Sequence, residues 1–161
     1  MTSAEEIEIR CSAVVFRADR VLLVHRTLGG ADDWVLPGGT PRYGETMVAC
    51  VRREILEETG LTAEPTGVAL VLEAIAPDTG MHTLDLVFAA REYGLQRRAT
   101  ERESGLDPAF VPVDSLGEID LRPPIGGHLR SARASRLRSA PYLGNLWRPA
   151  EASVRARRGH R

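Results

Sequence analysis

The sequence contains no lysine; all 21 of its basic residues are arginine. That excludes a mechanism built on a lysine Schiff base or on the lysine of a phosphate-binding P-loop. Cysteine is nearly as scarce. Only Cys11 and Cys50 occur, and without a secretory context two cysteines do not make a disulfide framework. No apolar run approaches membrane-spanning length, and the opening MTSAEEIEIR is acidic and polar, unlike a signal peptide. A cytoplasmic location with no membrane partner is expected. A large charge of either sign is also missing. The net charge of −1 argues against a nucleic-acid partner for the chain as a whole.

What is present suits one globular domain of 161 residues, 43% hydrophobic and 27% charged, which is enough to build a core. The charge is uneven at the end. From Arg130 to Arg161 nine arginines stand against the single acid Glu151. We expect a domain over residues 1–147 and a basic, solvated tail over 148–161. An electrostatic contact with an anionic ligand or a neighbouring subunit, as in a homodimer, is the alternative role for that tail.

Patterning predicts mostly strands, without regular alternation of strand and helix. IEIRCSAVVFR (7–17) and VLLVHR (21–26) read as a hairpin turning at Ala18-Asp19-Arg20. WVLPGG (34–39) reads as a short strand closed by Pro37 and two glycines. Gly44 to Thr59 is helical by pattern, with Gly60 as its stop. VALVLEAIA (68–76) and TLDLVFAAR (83–91) are two further strands, and the polar run 92–105 is a loop. AFVPVDSL (109–116) reads as a strand running into a turn, 126–137 as a helix, and the aromatic stretch 141–149 as a segment packing back on the body. The sum is an α/β fold with a mixed sheet and helices against it.

The helix carries the chemistry. At about 100° per residue Val48, Val51 and Ile55 share one face, while Glu54, Glu57 and Glu58 fall in an arc of roughly 100° beside it. Carboxylates so close repel one another and raise each other's pKa. Arg53 can pair with Glu57 at i+4 but cannot neutralise three acids. Solvent screening would leave the cluster as an ordinary charged face. A hard divalent cation, Mg²⁺ or Mn²⁺, would explain it, because such ions take oxygen ligands and also grip phosphates. Gly38-Gly39 just upstream lets the backbone turn sharply and approach a ligand closely.

At these residues the sequence resembles the Nudix box of the Nudix hydrolases. Gly39, Glu45, Arg53-Glu54-Ile55, Leu56, Glu57-Glu58, Thr59 and Gly60-Leu61 match it position for position, and the resemblance extends in pattern over roughly residues 8 to 116. It implies an α/β/α sandwich and metal-dependent hydrolysis of a nucleoside diphosphate linked to another moiety. Carried over, Glu57 and Glu58 would be the principal metal ligands, Glu54 a ligand directly or through water, and the Gly39 carbonyl one more. Arg53 would orient the glutamates, and Glu45 would brace the loop before the helix. A general base is also needed. Glu101 and Glu103, in the polar loop, are candidates alongside a glutamate of the box itself.

Other residues have less specific signals. Arg26 and Arg42 flank the site and could grip phosphates. Tyr43 or Trp34 could stack on a base, although Trp34 reads better as core. His25 and His82 read as structural or exposed, and Cys50 as a small packing residue rather than a nucleophile. Pro77, 16 positions after Leu61, resembles a feature of the ADP-ribose pyrophosphatase branch. The expected substrate is therefore a small nucleotide such as ADP-ribose or a nucleotide sugar. A nucleoside triphosphate losing pyrophosphate is the alternative, and a nucleotide-sensing module without turnover a further one.

Overall fold

In the computed structural model, residues 6–95, 97–102, 104–134, 142–145 and 149 are described. Strand β1 (Ile7–Arg17) turns at Ala18, whose φ of 54° lies in the left-handed region, into β2 (Arg20–Arg26), as the hairpin pattern predicts. The stretch expected as one strand over 34–39 is two. β3 (Asp33–Val35) pairs with β2, and β4 (Gly38–Gly39) pairs with β1. Leu36 and Pro37 step between them, and Pro37, lacking an N–H, cannot continue the first ladder. Helix α1 (Met47–Thr59) starts three residues later than its pattern suggests. Thr46 caps it by accepting the Ala49 N–H at 3.1 Å, and Gly60 closes it in the left-handed conformation.

Strands β5 (Ala63–Ile75) and β6 (His82–Glu92) form a long antiparallel pair, and β7 (Leu106–Pro112) runs beside β2. Both β5 and β7 begin earlier than expected: the polar starts of these strands gain ladder partners that no local pattern announces. Helix α2 covers Gly126–Ala134; the remainder of the predicted 126–137 helix lies outside the described residues. β8 (Tyr142–Asn145) adds to the edge of β5, so that part of the aromatic stretch does return to the body. The mixed sheet runs β3-β2-β1-β6-β5-β8, with β4 on β1 and β7 on β2. β1 and β6 are parallel. The tail expected over 148–161 lies outside the described residues except for Pro149. No helix among the described residues is long and apolar enough to cross a membrane.

The sheet separates two cores, as period-two alternation requires. Cys11, Ala13 and Val15 of β1 point to one side, where they meet Cys50, Val51 and Ile55 of α1. Val14, Val21, Leu23 and Val87 point to the other side, where Leu129 of α2 and the segment around Leu116, Leu121 and Ile125 cover them. The result is the α/β/α sandwich. It fixes α1 through Val51 and Ile55, both fully buried, and turns the acidic side of that helix toward β4 and the loop that follows it.

Candidate functional site

The acidic array is organised by Arg53. Its Nε and Nη2 donate to Glu45 Oε1 and Oε2 at 2.8 and 2.9 Å, a two-pronged pair across the loop before the helix. Its Nη1 donates to Glu54 Oε1 and, at 3.1 Å, to Glu57 Oε2. One guanidinium thus contacts three carboxylates, more than its i+4 spacing to Glu57 alone predicts. These contacts hold the Arg53 guanidinium firmly protonated, with Glu45 the largest contributor. In return Glu45 is pulled down to about 2 by Arg53 and by the Arg42 N–H, which donates to its Oε2 at 2.9 Å. Glu45 is therefore a fixed charge that braces the turn at residues 42–45 against the helix.

Glu58 takes a different direction. It is 9% exposed, and its Oε2 accepts the Gly38 N–H at 2.9 Å. Glu57 is the accessible member, with a side chain 46% exposed; Arg42 Nη2 donates to its Oε1 at 3.4 Å. The two glycines fit this packing for separate reasons. A Cβ on Gly39 would lie 2.4 Å from Glu54 Oε1, so the carboxylate rests directly on the glycine backbone. A Cβ on Gly38 would lie 2.3 Å from the Cys11 carbonyl oxygen, so β4 could not pair with β1 at this separation. Cys50 is fully buried behind them and its thiol donates to the Gly39 carbonyl at 3.6 Å. Burial pushes that thiol up to about 12, which makes it a packing residue and not a nucleophile.

Four carboxyl groups, Glu45, Glu54, Glu57 and Glu58, are thus set against two guanidinium groups, Arg53 and Arg42. The donors are all oxygen, and anionic charge is in excess. That chemistry fits a hard divalent cation. Among the described residues no three acidic, histidine or cysteine side chains converge closely enough to hold an ion as they stand. Arg53 lies between Glu54 and Glu57, and the Glu57 side chain is half-exposed.

The remaining candidates are dispersed. Glu101 accepts the Gly105 N–H at 3.0 Å and so closes its own loop, which is tied to the last residue of α1 by the Thr100 N–H to the Thr59 carbonyl at 3.1 Å. Glu103 lies outside the described residues. Arg26 is held by both oxygens of Asp33, each at 2.7 Å, and is already committed to a carboxylate. Tyr43 is fully exposed on the loop before α1. Trp34 packs on the core edge and stacks on His25 with ring centroids 4.6 Å apart. His25 Nε2 lies 2.9 Å from Asp32 and His82 Nε2 3.2 Å from Glu73.

A cavity of about 330 Å³ that no sequence motif marks opens on the opposite side of β4. Arg10, Ser12, Leu36, Leu72 and Asp85 are among its walls. Asp85, 5% exposed, accepts the Ser12 hydroxyl at Oδ2 over 2.8 Å. Burial pushes its carboxyl up from the usual range, while Arg10 and the Ser12 hydroxyl act the other way. The sequence signal was a lone acid within the apolar run TLDLVFAAR, two residues from Val87 and so on the same strand face.

The fold and this array together define an α/β/α sandwich with a glycine pair and an acidic helix at its edge. The NUDIX domain model matches residues 8–131, and the chain belongs to the Nudix family. Phosphatase NudJ of Escherichia coli strain K12 is 34% identical over 70 residues, which are 44% of this chain and 46% of that protein. The match thus spans about half the length of that relative. Among solved structures, a NUDIX hydrolase from Nitrosomonas europaea superposes with a TM-score of 0.71 at 21% identity, covering 84% of this chain and 93% of its own. An ADP-ribose pyrophosphatase from Streptococcus suis gives a TM-score of 0.66 at 21% identity, covering 87% of this chain and 100% of its own. These two likenesses show the fold.

Proposed function

We propose that the chain is a metal-dependent hydrolase of the pyrophosphate linkage in a nucleoside diphosphate derivative of the ADP-ribose or nucleotide-sugar type. The observation that carries this is the carboxylate array at the Gly38–Gly39 turn, in which acidic charge exceeds its guanidinium partners. Glu57 and Glu58 are the principal ligands in this account, with Glu54 and the Gly39 carbonyl completing the set. Mg²⁺ or Mn²⁺ bound there would neutralise the diphosphate and lower the pKa of a bound water. Arg53 holds Glu54 and Glu57 in place and Glu45 fixes Arg53. Arg42, exposed beside Glu57, is positioned to take a phosphate oxygen once Glu57 turns away from it. A glutamate of the array accepts the proton of the attacking water, since Glu101 is engaged by its own loop. Tyr43 offers an exposed ring beside that entrance for the leaving portion.

The test is a panel of ADP-ribose, nucleotide sugars, NAD and nucleoside triphosphates, incubated with and without Mg²⁺, with released phosphomonoester or pyrophosphate measured. Metal-dependent cleavage of the diphosphate compounds is expected. Cleavage confined to triphosphates would replace the substrate class, and tight binding without turnover would make the chain a sensing module.

A further inference from the structure

Both cysteines of the chain and one of its three methionines meet between β1 and α1. Cys11 comes from β1, and Met47 and Cys50 from the first turn of α1. Met47 and Cys50 are three positions apart, so they share one helix face, and that face packs on Cys11. The Cys11 thiol donates to the Met47 thioether over 3.1 Å. Cys50 stands within hydrogen-bonding reach of Cys11. Both cysteines are free and fully buried, whereas Met47 is only partly buried. None of the three sulfurs is a ligand or a base in the hydrolytic account. We propose that Cys11, Cys50 and Met47 form a three-sulfur site for a single Cu(I) ion.

The donor set selects the ion. Thiolate and thioether sulfur favours soft cations. Mg²⁺ and Mn²⁺ take oxygen and stay with the glutamates. Structural zinc and iron–sulfur clusters also take thiolates, but they close a four-coordinate shell. Three sulfurs without a further side chain suit Cu(I) and its low coordination number. The spacing is compatible. Two sulfurs bonded to one ion at roughly 2.3 Å each stand no more than about 4.6 Å apart, and the 3.1 Å contact of Cys11 with Met47 lies inside that limit. Charge is also accounted for. The ion displaces one proton from each thiol to solvent, and the complex of one Cu(I) with two thiolates carries a single negative charge. Arg53 Nη2 faces the Cys50 sulfur at 3.6 Å and offsets that charge. Met47 is the one member of the trio with exposed surface, and so marks the side from which an ion reaches the thiols. The site lies directly behind the Gly39 carbonyl, to which the Cys50 thiol donates at 3.6 Å. A soft ion here and a hard ion on the glutamates would occupy neighbouring sites of distinct chemistry.

The experiment titrates the reduced full chain with Cu(I), without oxygen and against a colorimetric Cu(I) chelator, and reads the shell of the bound ion by X-ray absorption. The wild type should hold one ion per chain in a shell of three sulfurs at roughly 2.3 Å. Cys11→Ser and Cys50→Ser should each weaken binding by at least about a hundredfold, since even residues that only support a metal ligand are worth about 10- to 100-fold. Met47→Leu should weaken it about tenfold, the low end of that range, and leave a shell of two sulfurs. Met81→Leu, which removes an exposed thioether elsewhere, should change neither readout. Circular dichroism reports whether each variant folds. If a buried serine prevents folding, Met47→Leu, which nearly conserves volume at a partly exposed position, decides alone. A wild type that yields its copper to the chelator, binding unchanged in a folded Cys11 or Cys50 variant, or a shell that Met47→Leu leaves intact overturns the proposal.

Discussion

Arg53 is the residue on which the acidic array depends. It is bonded to Glu45, Glu54 and Glu57 at once, and Glu45 pays back by a carboxyl held near 2. The pH consequence follows from the sign of that shift. A carboxyl whose folded pKa is depressed contributes stability that is present above its unfolded value, near 4.5, and lost as pH falls toward about 2. Urea midpoints measured across that window should fall more steeply for the wild type than for Glu45→Gln; parallel curves would mean that the Arg53 pair adds no pH-dependent stability. The pairing of Arg53 with Glu57 was legible in the sequence, because i and i+4 meet on any helix. Its reach to Glu45 was not, since that contact needs the turn at residues 42–45 to fold back on α1. Asp85 was hidden for a stronger reason. Its partner Ser12 lies 73 positions away and meets it only through the parallel register of β1 and β6.

At the scale of elements, the two-residue strand β4 has more influence than its length suggests. Its two glycines should fail differently. Gly39→Ala would put a methyl group on the Glu54 carboxylate, the far end of a flexible chain that can swing aside. Gly38→Ala would put one on the Cys11 carbonyl, which belongs to the β1 backbone. We therefore expect Gly39→Ala to keep its melting temperature within a few degrees while losing about 10- to 100-fold in metal-dependent activity, as when a metal ligand's support is disturbed. Gly38→Ala should melt several degrees lower. Thermal melts and rates on the two variants check this, and the reverse order would show that β4 is misassigned. Periodicity was sufficient for the hairpin, for α1 and for the β5–β6 pair, all of which are local or strongly patterned. It was insufficient at 34–39, where one apolar run feeds two ladders on different partners, and at the starts of β5 and β7, where pairing rather than residue type extends the strand.

At the scale of the whole molecule, the sandwich sets two unlike surfaces on either side of one glycine strand. On the α1 side lie carboxylates in excess of their arginines; on the other lies a small cavity lined in part by Arg10, Ser12 and Asp85. The link is short, running Glu58–Gly38–Ser12–Asp85 through backbone and hydroxyl contacts. The most direct measurement is Mn²⁺ binding by electron paramagnetic resonance, run on wild type, Glu57→Gln and Glu58→Gln beside hydrolysis of ADP-ribose and circular dichroism melts. The account predicts that the wild type binds Mn²⁺ and that each variant loses both ion and at least about a hundredfold in rate, as expected when transition-state charge stabilisation goes, with melting unchanged or raised. Undiminished Mn²⁺ binding and turnover in both variants would contradict it.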